Sequence, residues 1–155
     1  MQKQNRGATY QRIIVAVDGS TISKHALRGA IRLTKELQAV LLIVHVVDLV
    51  NVNVDTSADW SRYEESMRKS GERVLKEAAA VAHRAGVDAE TRLLEVQQVT
   101  DRIADEITRE ATKWRADLIV AGTHGRRGLS HLFLGSVAES IVRISPKPIL
   151  LIRGR

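Results

Sequence analysis

The sequence predicts a single α/β domain: a doubly wound, five-stranded parallel sheet with helices on both faces. Three observations carry this. Five short apolar runs alternate along the 155 residues with four segments whose apolar residues recur at helical spacing. Residues 40–47 (VLLIVHVV) are apolar at nearly every position, the pattern of a strand covered on both sides. The aromatic residues are only two Trp, two Tyr and one Phe, so Val, Ile, Leu and Ala must fill the core, as suits a parallel sheet between helices.

Each element follows in order. Residues 12–17 (RIIVAV) form a β-branched run that stops at Asp18, Gly19 and Ser20, a turn leading into a helix cap. From Ser23, the residues Ala26, Leu27, Ala30, Ile31, Thr34 and Leu37 give a helical stripe. Residues 40–47 are the second strand, and residues 49–59, rich in Asn, Asp, Thr and Ser, read as a loop. Residues 60–85 read as a long helix with Tyr63, Met67, Val74, Leu75, Ala78, Val81 and Ala82 on one face, and Gly86 stands where a left-handed cap belongs. Residues 89–96 form a weaker strand whose charges at Glu90, Arg92 and Glu95 suit a sheet edge. Thr100 is placed to cap the next helix, which buries Ile103, Ala104, Ile107, Ala111 and Trp114. Residues 117–121 (DLIVA) are a fourth strand running straight into a glycine-rich loop. Residues 136–144 form a short helix stopped by Ser145, Pro146, Lys147 and Pro148, and residues 149–153 (ILLIR) are the last strand. Strands and helices thus alternate, which implies right-handed crossovers in one parallel sheet. No repeat, low-complexity tract or linker interrupts the pattern, so residues 1–155 are expected to form one domain, with residues 1–9 flexible.

Composition removes several function classes. The absence of cysteine excludes disulfides, thiolate metal sites and a cysteine nucleophile. The first nine residues are polar and show no secretory signal, and the longest apolar run, residues 39–50, is broken by His45 and Asp48 and is too short to span a bilayer. A cytoplasmic protein without a membrane partner is expected. The net charge of +6 has two readings, attraction of nucleic acid or anionic lipid and a solvated exterior. No run of five basic residues occurs, and no aromatic residues accompany a basic cleft, so the solvated exterior is favoured and nucleic acid is not an expected partner.

In open α/β sheets ligands bind beyond the carboxyl ends of the strands, where strand order reverses. The turn at Asp18, Gly19 and Ser20 and the loop of residues 122–136 (GTHGRRGLSHLFLGS) would meet there. Gly122 and Gly125 permit tight, even left-handed turns and close ligand approach. Gly135 and Ser136 open a helix whose unpaired amides favour phosphate, Ser136 adds a hydroxyl donor, and Arg126 and Arg127 add cationic forks. Singly, each glycine is a turn former and Ser136 a cap; the set, directly after a buried strand, points to phosphate binding. Neither G-x-x-x-x-G-K-[ST] nor G-x-G-x-x-G occurs. Asp18 before Gly-Ser is equally a turn or capping residue. His45, inside an apolar strand, reads as a satisfied core histidine, and His124 as either a phosphate contact or a solvent-facing loop residue. No histidine pair has metal-ligand spacing, and no structural metal is expected.

The spacing Gly122-x-x-Gly125, nine residues, Gly135-Ser136 resembles the G-x2-G-x9-G-[ST] pattern of the ATP-binding universal stress proteins. IIVAVDGS at residues 13–20 and SVAESIVRISPKPILLIR at residues 136–153 resemble the same family, over nearly the whole chain. The resemblance implies the adenine nucleotide alpha hydrolase-like fold with strand order 3-2-1-4-5. It further implies that Ala16 and Val17 line a nucleotide cleft and that Asp18 lies near the ribose and a Mg²⁺ bound with ATP. Val46 or Val47 would offer backbone groups to adenine, and Ala121 and Gly122 would pass beside the ribose. Gly125, Arg126, Gly135, Ser136 and Val137 would hold the phosphates. ATP-binding members often carry a hydroxyl where this chain has Ala138, so one phosphate donor is missing. The implied role is that of an ATP-binding, nucleotide-responsive regulatory module in stress response. The alternative is a slow ATPase or autophosphorylating enzyme, although no nucleophile–base–acid set is visible. Family members commonly dimerise through the last strand, here Ile149–Ile152, whose apolar edge invites pairing with an identical strand.

Overall fold

The computed structural model describes residues 9–50, 57–124 and 134–154. The elements are β1 (Arg12–Ala16), α1 (Thr21–Leu37), β2 (Val40–Asp48), α2 (Ser57–Arg84), β3 (Glu90–Val96), α3 (Ile103–Lys113), β4 (Leu118–Gly122), α4 (Ser136–Ile144) and β5 (Ile149–Ile152). All strand pairs are parallel, in the order β3-β2-β1-β4-β5 that the family resemblance implies. The expected flexibility of residues 1–9 falls, except at Thr9, outside the described residues.

The period of two along the strands divides the core into two layers. Ile13, Val15, Leu41 and Ile43 point to one face and pack with Ala26, Leu27, Ala30 and Ile31 of α1 and with Leu75, Ala78 and Ala82 of α2. Ile14, Leu42, Val44 and Ile119 point to the other face and pack with Ala104, Ile107 and Ala111 of α3 and with Ile141 of α4. β1 and β2 are therefore covered on both sides, which is why residues 40–47 show no polar alternation. β3 and β5 are the edges. The charges on β3 are paired to its neighbours: Arg68 of α2 donates to Glu95 from Nε at 2.6 Å, and Arg92 donates to the buried Glu110 of α3. The hydrogen bond from Arg68 holds the Glu95 carboxyl below its ordinary range. That contribution is present at neutral pH and is lost as pH falls through the lowered value.

Helix ends follow from local chemistry. At the start of α1, Ser20 caps by accepting the Ser23 amide at 3.2 Å. α2 begins at Ser57, so the last part of the expected loop is helical. It closes at Gly86, which is left-handed (φ 81) as its sequence position suggests. There the Gly86 amide donates to His83 O and the Val87 amide to Ala82 O, both at 2.9 Å, the paired bonds of a Schellman motif. A Cβ on Gly86 would meet nothing within 4 Å, so only backbone strain opposes a side chain. Gly86→Ala is expected to cost about 1 kcal/mol in urea unfolding, and a cost well above about 2 kcal/mol would mean that the site is crowded after all. The cap of α3 corrects the sequence reading. Arg102, not Thr100, is the N-cap residue, because the Asp105 carboxylate reaches back to accept the Arg102 amide at 2.8 Å. Thr100 is exposed in the preceding turn. Among the described residues no helix is long and apolar enough to cross a membrane.

Candidate functional site

β1 and β4 are neighbours in the sheet, with Val15 opposite Val120. Beyond that pair their continuations part. β1 leads through Val17 and Asp18 into α1 on one face, and β4 leads toward α4 on the other. The crevice between the two exits is the switch point of the sheet, where ligands of such folds bind.

The first wall is the β1–α1 turn. Val17 extends the ladder by one bond, donating its amide to Val44 O at 2.9 Å. The Asp18 amide donates to Ser23 Oγ at 3.2 Å, and Asp18 Oδ1 accepts the Ser20 amide at 2.9 Å. Asp18 thus does act as a turn residue, while its side chain stays only half-buried. Gly19 takes φ 82, the left-handed value that a side chain resists.

The second wall is the exit of β4. The buried Thr123 donates its amide to Ile152 O at 2.9 Å, and its own carbonyl accepts the Gly135 amide at 2.7 Å. The chain thus leaves and returns on one residue, and residues 125–133, between these anchors, lie outside the described residues. Gly125, Arg126, Arg127 and His131 fall there. Gly135 is the N-cap of α4, extended at φ −64 and ψ 153, and carries no side chain to cap the helix. The amides of the first turn therefore have no intrahelical acceptor and, among the described residues, no capping side chain. His124 stands at the loop entrance with Nδ1 3.0 Å from Thr123 Oγ1. Its Nε2 is buried and has no hydrogen-bond partner among the described residues. An orphaned buried ring nitrogen costs free energy unless something else supplies the bond.

The remaining sequence-predicted residues sort by face. Ala16, Val46 and Val137 are half-buried on the α3/α4 side, next to the buried Ala121. Val17 belongs to the opposite layer, and Val47 lies beneath α2, against the place where a Cβ on Gly71 would stand. Val47 can therefore face the crevice only with its backbone. Ser136 is exposed, and Ala138 is buried, its methyl turned into the protein.

Gly122 needs a correction. It is not left-handed; among the described glycines only Gly19 and Gly86 have positive φ. It is the last residue of β4, and a Cβ on it would lie 2.6 Å from Ile22 Cγ2 and 3.3 Å from the His124 carbonyl oxygen. A Cβ on Gly154 would lie 2.8 Å from Ile22 Cγ1. Gly122 is small so that α1 can seat its first turn on β4.

His45 is a core histidine, as its strand context suggests, and its ring bonds to the β1 exit. No sequence pattern signals that bond, because it depends on strand register. A separate hollow of about 350 Å³ opens beyond β3, lined by Glu95, Gln97, Gln98, Asp101, Glu106 and Arg109. Its charges are already matched, Arg109 to Asp101 and Glu106, and Glu95 to Arg68. Among the described residues no cluster of three or more His, Cys, Asp or Glu is arranged to hold a metal.

Comparison with known proteins agrees with this architecture. The model of the universal stress protein family matches residues 9–153. A universal stress protein of Methanocaldococcus jannaschii is 34% identical over 145 residues, covering 93% of this chain and 82% of that protein. A crystal structure of a universal stress protein family member from Burkholderia pseudomallei superposes with a TM-score of 0.76 at 36% identity, covering 94% of this chain and 98% of the other. A universal stress protein crystallised in complex with cAMP superposes with a TM-score of 0.69 at 27% identity, covering 93% and 97%.

Proposed function

The chain belongs to the universal stress protein family, and from that premise we propose that it is an ATP-binding, nucleotide-responsive regulatory module of the stress response, acting in the cytoplasm. The observation that carries this reading is the start of α4, a helix N-terminus with a glycine N-cap at the sheet's switch point, uncapped by any side chain among the described residues. Free amides there offer fixed partial positive charge to a phosphate. The buried Nε2 of His124, without a hydrogen-bond partner among the described residues, is a polar atom that a ligand would satisfy. The relative holding cAMP supports recognition of an adenine nucleotide by this architecture.

In this reading Ala16, Val46 and Ala121 form the apolar floor beneath the adenosine. Val17 lines the cleft, the backbone of Val46 or Val47 addresses adenine, and Ala121 and Gly122 pass the ribose. Gly135, Ser136 and Val137, joined by Gly125 and Arg126 from the loop, take the phosphates. Asp18 offers its carboxylate to the ribose and to a Mg²⁺ carried by ATP, an oxygen ligand of the kind that ion prefers. A homodimer through the β5 edge belongs to the same reading. Ile149–Ile152 are half-buried there, and an identical strand would cover them. Sedimentation at micromolar concentration is expected to give twice the 17.2 kDa chain mass, and a single monomer peak would remove the dimer.

The binding test is calorimetric titration of the full chain with ATP, ADP, AMP and cAMP, with and without Mg²⁺. ATP is expected to bind most tightly, with Mg²⁺ tightening it further. No heat or saturation with any of the four at millimolar concentration would end the nucleotide reading.

A further inference from the structure

We propose that His45 is a positioning residue of this site, fixing the β1–α1 turn so that Asp18 and the end of β2 face one nucleotide together. The proposal rests on the nucleotide reading above. β1 ends at Ala16, and the amide of Val17 makes one further bond to Val44. Past this point the chain leaves the sheet, so the Val17 carbonyl no longer has a strand to bond to. The His45 ring takes it instead: Nδ1 lies 2.7 Å from Val17 O. A carbonyl oxygen only accepts, so Nδ1 carries the proton.

The ring has little freedom to move. It is 7% exposed, and α2 lies directly against it, since a Cβ on Gly71 would stand 2.9 Å from His45 Cδ2. An apolar side chain would fill this layer without the cost of burying a polar ring. Among the described contacts, the imidazole adds a hydrogen bond to a loop carbonyl, at the residue immediately before Asp18.

That location couples two walls of the crevice. Val46 follows His45 on β2 and turns to the opposite face, toward Ala16 and Ala121. Asp18 follows Val17, its amide and carboxylate already set by Ser23 and Ser20. One ring therefore ties the strand end assigned to adenine to the turn assigned to ribose and metal. Without the bond, the Val17–Asp18 peptide keeps the Asp18 amide's bond to Ser23 Oγ but loses the tie from its carbonyl to β2, and a ligand must restore that alignment. A prepositioned turn binds more tightly than one that must be ordered on binding.

The test uses His45→Leu, which keeps volume and removes the donor, and His45→Asn, whose amide nitrogen falls near the Nδ1 position. ATP affinity is measured by calorimetry well below the melting temperature, and amide exchange at Asp18 and Ser20 is measured on the nucleotide-free protein. His45→Leu is expected to weaken ATP binding about tenfold, the equivalent of one lost hydrogen bond, and to speed exchange at those amides. His45→Asn is expected to stay within about threefold of wild type. Equal binding by His45→Leu and wild type overturns the proposal, as does equal loss in both variants, which would mean that a donor at the Nδ1 position is not what matters. If His45→Leu does not fold, His45→Gln replaces it, because its amide nitrogen reaches toward the Nε2 position. Wild type that binds no adenine nucleotide brings down the functional reading itself, and the proposal falls with it. Unchanged exchange at Asp18 and Ser20 overturns the positioning role while leaving that reading intact.

Discussion

Gly71→Val is expected to lower the free energy of unfolding by about 3 kcal/mol, near the top of the range for overpacked cores. Gly71 is buried in the middle of α2, where the helix backbone presses on the sheet. A Cβ there would stand 2.6 Å from Leu93 Cδ1, 2.9 Å from His45 Cδ2 and 3.1 Å from Val47 Cγ2. These three side chains rise from β2 and β3 and cannot all retreat, since each already packs in the same layer. On an exposed helix, replacing glycine by a better helix former gains up to about 1 kcal/mol. At this position close packing reverses the sign, and the two extra methyls of valine enlarge the cost. Urea unfolding should show a lower midpoint with an unchanged slope. A midpoint at or above that of wild type would mean that α2 does not lie this close to the sheet.

Gly135→Ala is expected to separate affinity from stability, weakening ATP binding at least about tenfold while costing no more than about 1 kcal/mol of stability. The backbone of Gly135 is extended at φ −64, a conformation alanine adopts without backbone strain, and the amide bond to Thr123 O does not involve its side chain. The side chain of an N-cap residue lies over the free amides of the first turn. A methyl there occupies the space assigned to phosphate. Paired calorimetric titration and thermal melting check both halves. A variant that melts like wild type and binds ATP as tightly would remove the α4 N-terminus from the site.

Much of the architecture is legible from hydrophobic period alone. The doubly covered β2 announces itself by unbroken apolarity, and the edge strand β3 by Glu90, Arg92 and Glu95, two of which are tied to Arg68 and Glu110. Gly86 is readable because a glycine at the end of a helical stripe has one common use. Gly71 is not, because nothing local distinguishes a glycine that admits a sheet from one that merely weakens a helix. Thr100 misled because a hydroxyl ahead of a helix is the stronger signal, while the working group, Asp105, lies inside the helix and reaches backward. Gly122 has a packing role that no local pattern shows. A glycine after a strand suggests a ligand, but the neighbour that excludes its Cβ is Ile22, a hundred residues away in sequence. The adjacency of the β1 and β4 exits follows from the strand order that the family resemblance implies, since alternation alone does not say which strands pair. The bond from His45 to Val17 required register, which composition and period do not supply.

The wedge formed by Ile22 restricts how this protein can change over generations. One side chain fills the volume beside two glycines, 122 and 154, so substitutions at the three positions are energetically coupled. A lineage that first trims residue 22 opens a gap it can tolerate and then later fill from either glycine. The opposite order begins with a collision. Substitutions at these positions should therefore accumulate in a fixed sequence, with position 22 leading.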